Sequence, residues 1–255
     1  MQATPDQDLG SASTPEPATS PAVSIVIPTY QERGNIEMLA ERLGAMASDA
    51  ALEIEVMLMD DQSRDGSIEA VDALGLPWYR LVERTGERGL SPAVLDGMKL
   101  ARAPHIIVMD ADLSHPPEAI PEMIAALDDG AEFVIGSRYV PGGGTAEDWG
   151  FLRLVNSKAA TFFARPFTRA KDPMAGFFGI RSDVFERAES VDPIGFKIGL
   201  ELIVKCDCTD IREVPIQFAQ RHAGESKLSL SEQVKYLRHV ARLHGHRFRN
   251  RGSRR

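Results

Sequence analysis

Residues 105–112 read HIIVMDAD, an apolar run that ends in two carboxylates one residue apart. A second apolar run, 54–59, ends in Asp60 and Asp61 in the same way. Because the carboxyl ends of parallel strands meet at one edge of a sheet, we expect both turns at the edge where open α/β sheets bind ligands. One or two carboxylates, with substrate phosphates completing the shell, is the usual arrangement for Mg²⁺ or Mn²⁺. The two turns therefore predict a metal site for a phosphate-bearing, nucleotide-linked substrate.

The rest of the chain alternates strand and helix signals, which predicts an α/β fold with a mostly parallel central sheet and helices on both faces. Strands are predicted at 23–27, 54–59, 78–82, 105–109, 132–135, 176–180 and 211–218. Helices are predicted from about Ile36, at 91–101, 116–127 and 151–163, and from Ser231 to about His244. Pro28 is expected to end the first strand because it has no N–H for the ladder.

The length of 255 residues suits one large α/β domain. Residues 1–21 are rich in Pro, Ser, Thr, Ala and acids, and are predicted to be a disordered leader because they carry too little apolar surface to fold. Residues 22–245 are predicted to form a single domain with a nucleotide-binding half, about 22–140, and an acceptor half, about 141–245. The remaining residues, 246–255, form a basic tail.

The net charge of −8 is unevenly distributed along the chain. Residues 221–255 hold ten Lys and Arg against two Glu, a local charge of +8, so the remainder carries −16. We expect an anionic membrane surface as partner and no nucleic acid, because no aromatic-studded basic groove accompanies this charge. No apolar run approaches the roughly 20 residues that span a bilayer, and the N-terminus does not resemble a secretory signal.

The two cysteines, Cys206 and Cys208, are too few for a disulfide framework and are interpreted as ordinary strand-edge residues of a protein in a reducing compartment. The sequence therefore predicts a cytoplasmic protein that is peripheral on the inner face of the membrane. Attachment is expected through the amphipathic helix near 231–244 and the basic tail. The alternative is that this helix packs on the domain.

Several side chains at the predicted strand ends suit phosphate chemistry. Asp110 and Asp112 would hold the cation, and Ser114 would be a third ligand or hold a bound water. Arg138 follows another predicted strand, where its planar fork would match a phosphate. Asp65 is assigned to structure, because Asp and Ser are preferred at helix starts. His115 is interpreted as a loop side chain before Pro116 rather than a base.

Taken together, these strings resemble family 2 glycosyltransferases of the dolichol-phosphate (polyprenol-phosphate) mannosyltransferase type. The matching strings are SIVIPTYQERGNI (24–36), DDQSRDG (60–66), RGLS (88–91), MDADLSHPP (109–117), GSRY (136–139), DPMAGFF (172–178), GFK (195–197) and RHAGESK (221–227). They extend over about 24–230. Each string is modest alone, and their number and order make the resemblance specific.

The resemblance implies a GT-A fold, which is Rossmann-like and typical of nucleotide-diphospho-sugar transferases, a GDP-mannose donor and a dolichyl or polyprenyl phosphate acceptor. It places the nucleoside at Pro28, Tyr30, Glu32, the Met59 backbone and Asp61. It places the metal and diphosphate at Asp110, Ala111 and Asp112, and the phosphates and mannose at Arg138, Lys197, Arg221 and Lys227. It places the acceptor phosphate at Arg153 and Ser157. The predicted catalytic residues are Asp112 and Arg138.

A phosphate acceptor changes which residues the reaction needs. A monophosphate has its second pKa near 6, so it is already a dianion at neutral pH and no base is required to activate it. In-line attack would invert the anomeric carbon and give a β-linked product. Two alternatives remain open: a transferase that uses another donor, such as UDP-glucose, and a non-catalytic module that binds nucleotide sugars.

Overall fold

A computed structural model describes residues 20–145, 163–188, 190–192, 197–219 and 238–245. Residues 1–19 of the predicted leader and the whole basic tail, 246–255, lie outside the described residues. The strands are β1 (Val23–Thr29), β2 (Ile54–Asp60), β3 (Tyr79–Glu83), β4 (His105–Val108), β5 (Phe133–Ser137), β6 (Gly144–Thr145), β7 (Phe178–Arg181), β8 (Ile211–Pro215) and β9 (Gln217–Phe218). The helices are α1 (Ile36–Asp49), α2 (Ser67–Leu74), α3 (Leu90–Leu100), α4 (Ile120–Asp128), α5 (Ser182–Phe185), α6 (Ile198–Lys205) and α7 (238–245). Short 3₁₀ turns, Arg33–Asn35 and Pro117–Ala119, precede α1 and α4.

Seven strands form one sheet in the order β3-β2-β1-β4-β7-β5-β8. All neighbours pair in parallel except β7, which is antiparallel to both β4 and β5. This arrangement confirms the predicted α/β class with a mostly parallel sheet. The chain moves outward from β1 to β2 and β3, and then returns to the other side of β1 as β4. The crevice between β1 and β4 is thus the switch point at which open α/β sheets bind ligands.

The structure corrects the prediction that Pro28 ends the first strand. β1 continues to Thr29, and Pro28 pairs with Met59 in β2. Val26 C=O accepts from Met109 on the β4 side, whereas Thr29 C=O accepts from Asp61 on the β2 side. Since backbone groups alternate sides along a strand, the missing N–H of Pro28 faces the β4 side, beyond the end of β4. The β1–β2 ladder therefore loses no hydrogen bond.

Apolar side chains bury both faces of the sheet. One cluster packs α1, α2 and α4 against one face, and a second packs α3 and α6 against the other. Gly97 in α3 is needed for this second layer, because a Cβ there would lie 2.4 Å from Val26 and 2.9 Å from Met59. The close approach fixes α3 over β1 and β2, and so sets where the start of α3 meets the carboxyl ends of these strands.

The described end of the chain packs on the domain. In α7, Val240 and Leu243 are buried with Ala164 and Leu200 in a small apolar cluster. Over 238–245 the apolar face is therefore covered by protein, as in the alternative in which the helix packs on the domain, and attachment to a membrane stays a prediction. The earlier part of the predicted amphipathic helix lies outside the described residues. None of the described helices is long and apolar enough to cross a bilayer.

A buried hydrogen bond between two side chains connects α7 to α6. His239 Nε2 lies 2.6 Å from Glu201 Oε2, and both side chains are fully buried. Burial alone would raise the pKa of Glu201, but hydrogen bonds from His239 and the Asp192 N–H lower it overall. The cysteines lie at the end of α6 and not at a strand edge as predicted, since Cys206 follows Lys205 directly.

Candidate active site

Most of the predicted site residues lie at one edge of the sheet. β1, β2, β4 and β5 all deliver their carboxyl ends there because they run in parallel. β7 runs the other way, so the segment 172–177 that precedes it reaches the same edge. The edge therefore gathers three turns, which follow β2, β4 and β5, around the switch point at β1 and β4.

Both acids of the turn after β2 are already bonded by protein. Asp60 is buried and accepts from the Ser63 N–H at 2.8 Å and from the Ser63 hydroxyl. Asp61 accepts from the Gly89 N–H at 2.7 Å and pairs with Arg84 Nη1. Gly89 adopts φ of +140°, which favours glycine, and this turns its N–H toward the carboxylate at the start of α3.

Arg84 is a buried residue of this site that the sequence analysis missed. Its side chain is only 3% exposed, and besides Asp61 it contacts Asp96 Oδ2 at 2.7 Å. Its Nη2 also donates to the Glu87 C=O at 2.9 Å. Arg84 directly follows β3, but nothing in the local sequence distinguishes it from the exposed charged residues around it. The pairing with Asp61 across two strand ends is visible only in the tertiary structure.

The other predicted nucleoside residues have mixed environments. Tyr30 is 43% exposed, and the guanidinium of Arg88 lies 4.7 Å from its ring centroid. Glu32 is half-buried and accepts from Asn35 Nδ2 at 2.6 Å. Met59 is 1% exposed and pairs with Pro28 on one side and Val82 on the other. Its backbone belongs to the sheet one residue before the carboxyl end of β2, and its predicted contact with the nucleoside stays a prediction.

The turn after β4 carries two carboxylates, of which one accepts hydrogen bonds from Ser114 and the other has no hydrogen-bond donor among the described residues. Asp112 Oδ1 accepts from the Ser114 N–H at 3.0 Å and from its hydroxyl at 2.5 Å. Among the described residues, no donor lies within hydrogen-bond distance of the Asp110 carboxylate, and its side chain is 29% exposed. Ser114 is fully buried. It orients Asp112, and its predicted role as a third ligand or as the holder of a bound water stays a prediction.

His115 lies in the loop before Pro116, as predicted, and it is buried, with an exposed fraction of 3%. The Asp110 N–H donates to His115 Nδ1 at 2.9 Å, and Nε2 lies 3.9 Å from Asp110 Oδ2. The ring stacks on Phe177 at 5.2 Å and meets the edge of Phe218 at 5.5 Å.

The donor set at this turn fits a hard divalent cation. Asp110 and Asp112 offer oxygen ligands, and the Asp110 carboxylate carries a charge that no described donor satisfies. Within the part of the chain that is described, no group of three or more His, Cys, Asp or Glu could hold a metal by itself. The remaining ligands must therefore come from outside these side chains, as they do when substrate phosphates and water complete a Mg²⁺ shell.

Arg138 follows β5 and is held by a carboxylate that the sequence analysis left without a role. Its Nε and Nη2 each donate to Asp172 at 2.7 Å, which makes a two-point pair. Burial alone would lower the pKa of Arg138, but the hydrogen bonds and charge of Asp172 raise it overall, and Asp110 adds to the increase. Glu213 in β8 accepts the N–H groups of Lys171 and Asp172 at 2.8 and 3.0 Å. Asp172 lies in a matched string, which was the available signal.

The acceptor-side residues are only partly described. Lys197 is half-buried and directly precedes α6. The start of α6 lies beside the segment 172–177, since a Cβ on Gly199 would be 3.7 Å from the Ala175 carbonyl. The predicted positions Arg153, Ser157, Arg221 and Lys227 lie outside the described residues.

Comparison with known proteins gives concordant matches. The family described as glycosyl transferase family 2 matches residues 24–188. A dolichol-phosphate mannosyltransferase of Mycosarcoma maydis is 44% identical over 240 residues, which cover 91% of this chain and 82% of that protein. One from Saccharomyces cerevisiae is 43% identical over 235 residues, which cover 88% of each chain.

A solved structure supports the fold. Glucosyl-3-phosphoglycerate synthase of Mycobacterium tuberculosis, in complex with Mn²⁺, uridine diphosphate and phosphoglyceric acid, superposes with a TM-score of 0.62. The match covers 88% of this chain and 77% of that one, at 16% sequence identity. At this identity the likeness concerns the fold alone, and it confirms the predicted GT-A architecture.

Proposed function

The chain belongs to glycosyl transferase family 2, and from this premise we propose that it transfers mannose from GDP-mannose to a dolichyl or polyprenyl monophosphate. The product would be a polyprenyl β-D-mannosyl phosphate. The observation that carries the proposal is the 44% identity over 91% of the chain to a dolichol-phosphate mannosyltransferase. The carboxylate of Asp110 at the switch-point edge, which accepts no hydrogen bond from the part of the chain that the structure describes, supports the same chemistry.

We propose Mg²⁺ or Mn²⁺ as cofactor, held by Asp110 and Asp112. When bound there, the cation supplies Lewis-acid stabilisation of the charge on the leaving diphosphate. Ser114 orients Asp112, and Asp172 holds the fork of Arg138 on the neighbouring strand end. Arg138 is assigned to the diphosphate because its fixed guanidinium adds positive charge near Asp110. Such preorganised charge contributes most where water is excluded.

The acceptor side needs alignment more than proton transfer. A lipid monophosphate is a dianion at neutral pH, so no side chain has to act as a base. His115 is not available for that role through Nδ1, which accepts the Asp110 N–H. The cationic residues Lys197, Arg221, Lys227 and Arg153, with Ser157, are proposed to align two anions that repel each other. Binding of the donor is assigned to residues 22–140 and binding of the acceptor to 141–245.

The lipid acceptor requires that the protein reach a membrane. We propose a peripheral position on the cytoplasmic leaflet, with the basic residues of 221–255 attracted to anionic lipid. The apolar face of α7 does not take part in this contact, because it packs on the domain.

The decisive experiment is a transfer assay with radiolabelled donors. The full chain is incubated with polyprenyl phosphate and either GDP-mannose or UDP-glucose, with Mg²⁺, Mn²⁺ or EDTA. We expect label in the lipid fraction with GDP-mannose only, lost in EDTA, and NMR of the product should show the β-anomer. Turnover with UDP-glucose instead would support the alternative donor. Donor binding without turnover on any lipid phosphate would contradict the proposed function.

A further inference from the structure

We propose that His115 is a positioning residue that presents the Asp110 carboxylate to the divalent cation. The inference rests on the metal role proposed for Asp110. It concerns a side chain that neither holds the cation nor touches the sugar. Its basis is the geometry of the ring within the turn after β4.

The ring is fixed from several directions. Phe177 lies parallel to it at 5.2 Å with an interplanar angle of 19°, and Phe218 meets it at 69° from 5.5 Å. Phe177 directly precedes β7 and Phe218 belongs to β9, so two distant parts of the chain clamp one imidazole. Aromatic contacts of this kind fix orientation as well as burying surface. A tilt of the ring plane would disturb both contacts.

The fixed ring bonds the backbone of the residue whose carboxylate it faces. The Asp110 N–H donates to Nδ1 at 2.9 Å. A backbone N–H can only donate, so Nδ1 carries no proton and the ring proton is on Nε2. Nε2 lies 3.9 Å from Asp110 Oδ2, too far for a direct hydrogen bond. His115 thus holds the backbone of Asp110, and its Nε2 lies near the Asp110 carboxylate without a direct hydrogen bond to it.

A ring in this form suits a cation site better than a cationic side chain would. Arg or Lys at this place would neutralise Asp110, as Arg84 does for Asp61. An imidazole that accepts the Asp110 N–H fixes the backbone that carries the carboxylate and leaves the carboxylate oxygens available to a cation. Residues that orient metal ligands in this way typically change metal affinity by 10- to 100-fold when replaced.

The test compares two isosteric replacements in the full-length protein, His115→Asn and His115→Leu. Asn places Oδ1 close to the position of Nδ1 and can accept the Asp110 N–H, whereas Leu cannot. Asn and Leu have similar volumes, so they leave similar space between the two phenylalanines, and urea unfolding of each variant measures any difference in stability. Mn²⁺ binding in the presence of GDP is measured by the loss of the free Mn²⁺ EPR signal. His105→Asn, at the opposite end of β4, controls for loss of a buried histidine.

We expect His115→Leu to weaken Mn²⁺ binding by about 10- to 100-fold. His115→Asn should stay within about threefold of wild type, and His105→Asn should not change. In transfer assays the deficit of His115→Leu should shrink as Mn²⁺ is raised. Wild-type Mn²⁺ affinity in His115→Leu would overturn the inference, and so would equal losses in the Asn and Leu variants.

One further variant covers the case of unfolding, and two outcomes with the wild-type protein keep the inference separate from the proposed function. If the smaller side chains unfold the protein, His115→Phe keeps an aromatic ring in place, and weak Mn²⁺ binding by this variant supports the proposal while normal binding contradicts it. If the wild-type protein binds Mn²⁺ with GDP but never transfers mannose, the proposed function is contradicted, whereas the role of His115 at the cation site is not. Wild-type protein that binds no Mn²⁺ would remove the inference itself.

Discussion

The turns after β2 and β4 occupy equivalent places in the sheet but have different electrostatic environments. Asp61 accepts from a backbone N–H and pairs with the buried Arg84. Asp110 has no such donor among the described residues and faces the ring of His115 at 3.9 Å. A carboxylate whose charge is balanced by a neighbouring cationic side chain is suited to accept hydrogen bonds from a ligand. A carboxylate whose charge is not balanced by such a side chain is suited to bind a cation. Two similar sequence signals therefore lead to two different roles.

The largest effect should come from removing the available charge. Asp110→Asn is expected to lower kcat/KM for mannosyl transfer by about 10³-fold, since a lost Lewis-acid contribution of several kcal/mol converts to a change of this size. Mn²⁺ binding with GDP should fall in parallel. Asp72→Asn, on the exposed surface of α2, is the matched control and should behave as wild type. If the Asp110→Asn variant kept its activity, the cation role assigned to Asp110, and with it the difference between the two turns, would be wrong.

The second effect concerns the turn after β2, where Asp61 is paired with Arg84, and it is measured as a change in the free energy of unfolding. Arg84→Leu leaves Asp61 buried without its cationic partner, and breaking a buried pair costs about 3 kcal/mol or more. Urea unfolding measures this loss. Arg42→Leu removes an exposed pair with Glu118, where about 1 kcal/mol or less is expected. Equal losses of unfolding free energy in the two variants would show that the buried pair of Arg84 stabilises the fold no more than an exposed pair does.

A smaller effect tests the space around Asp110. A Cβ on Gly176 would lie 3.5 and 3.6 Å from the two Asp110 oxygens, which is ordinary contact but covers one face of the carboxylate. Gly176→Ala is expected to weaken Mn²⁺ binding about tenfold, equivalent to about 1.4 kcal/mol, with little change in melting temperature. Gly34→Ala, where the added Cβ meets nothing within 4 Å, is the control. Unchanged Mn²⁺ binding in Gly176→Ala would place the cation elsewhere.

The smallest effect concerns a carboxylate away from both turns. Glu132, next to the start of β5, accepts from the Thr209 N–H at 2.6 Å and pairs with Arg187. Burial raises its pKa, but these bonds outweigh it and lower the pKa to about 2 from 4.5. The associated stability is present above about pH 4.5 and is lost as the pH falls toward 2.

After allowance for solvent screening, we expect wild type to lose about 1 kcal/mol of unfolding free energy over that range through this group. Glu132→Gln should lack this component in urea unfolding measured at a series of pH values. Because Glu132 lies away from the turns, transfer kinetics at neutral pH should not change. A variant with the full wild-type pH dependence would assign the acid sensitivity to other groups.

Much of the fold was predictable from local pattern. The strand–helix alternation located every strand of the parallel sheet to within two residues up to β5, because buried parallel strands form short apolar runs. The prediction for Pro28 failed because the neighbour that its missing N–H would face depends on where β4 ends. The assignment of Asp65 to structure is confirmed, since it accepts from the Ser67 N–H and hydroxyl at 3.1 and 2.6 Å.

The site was predictable to the level of its carboxylates. Asp61, Asp110 and Asp112 follow apolar runs, so their place at the sheet edge follows from strand direction. The partners that decide their roles are separated in sequence: Arg84 from Asp61 by 23 positions, and Asp172 from Arg138 by 34. No periodicity or spacing relates such pairs.

The sequence by itself determined the strands, the class of the sheet and the carboxylates at its edge, because these depend on local periodicity and on the common direction of parallel strands. Only the tertiary structure decided which carboxylate is neutralised and which keeps its charge. That distinction depends on the side chains that distant segments bring within a few ångströms, namely Arg84 beside Asp61 and His115, clamped by Phe177 and Phe218, beside Asp110.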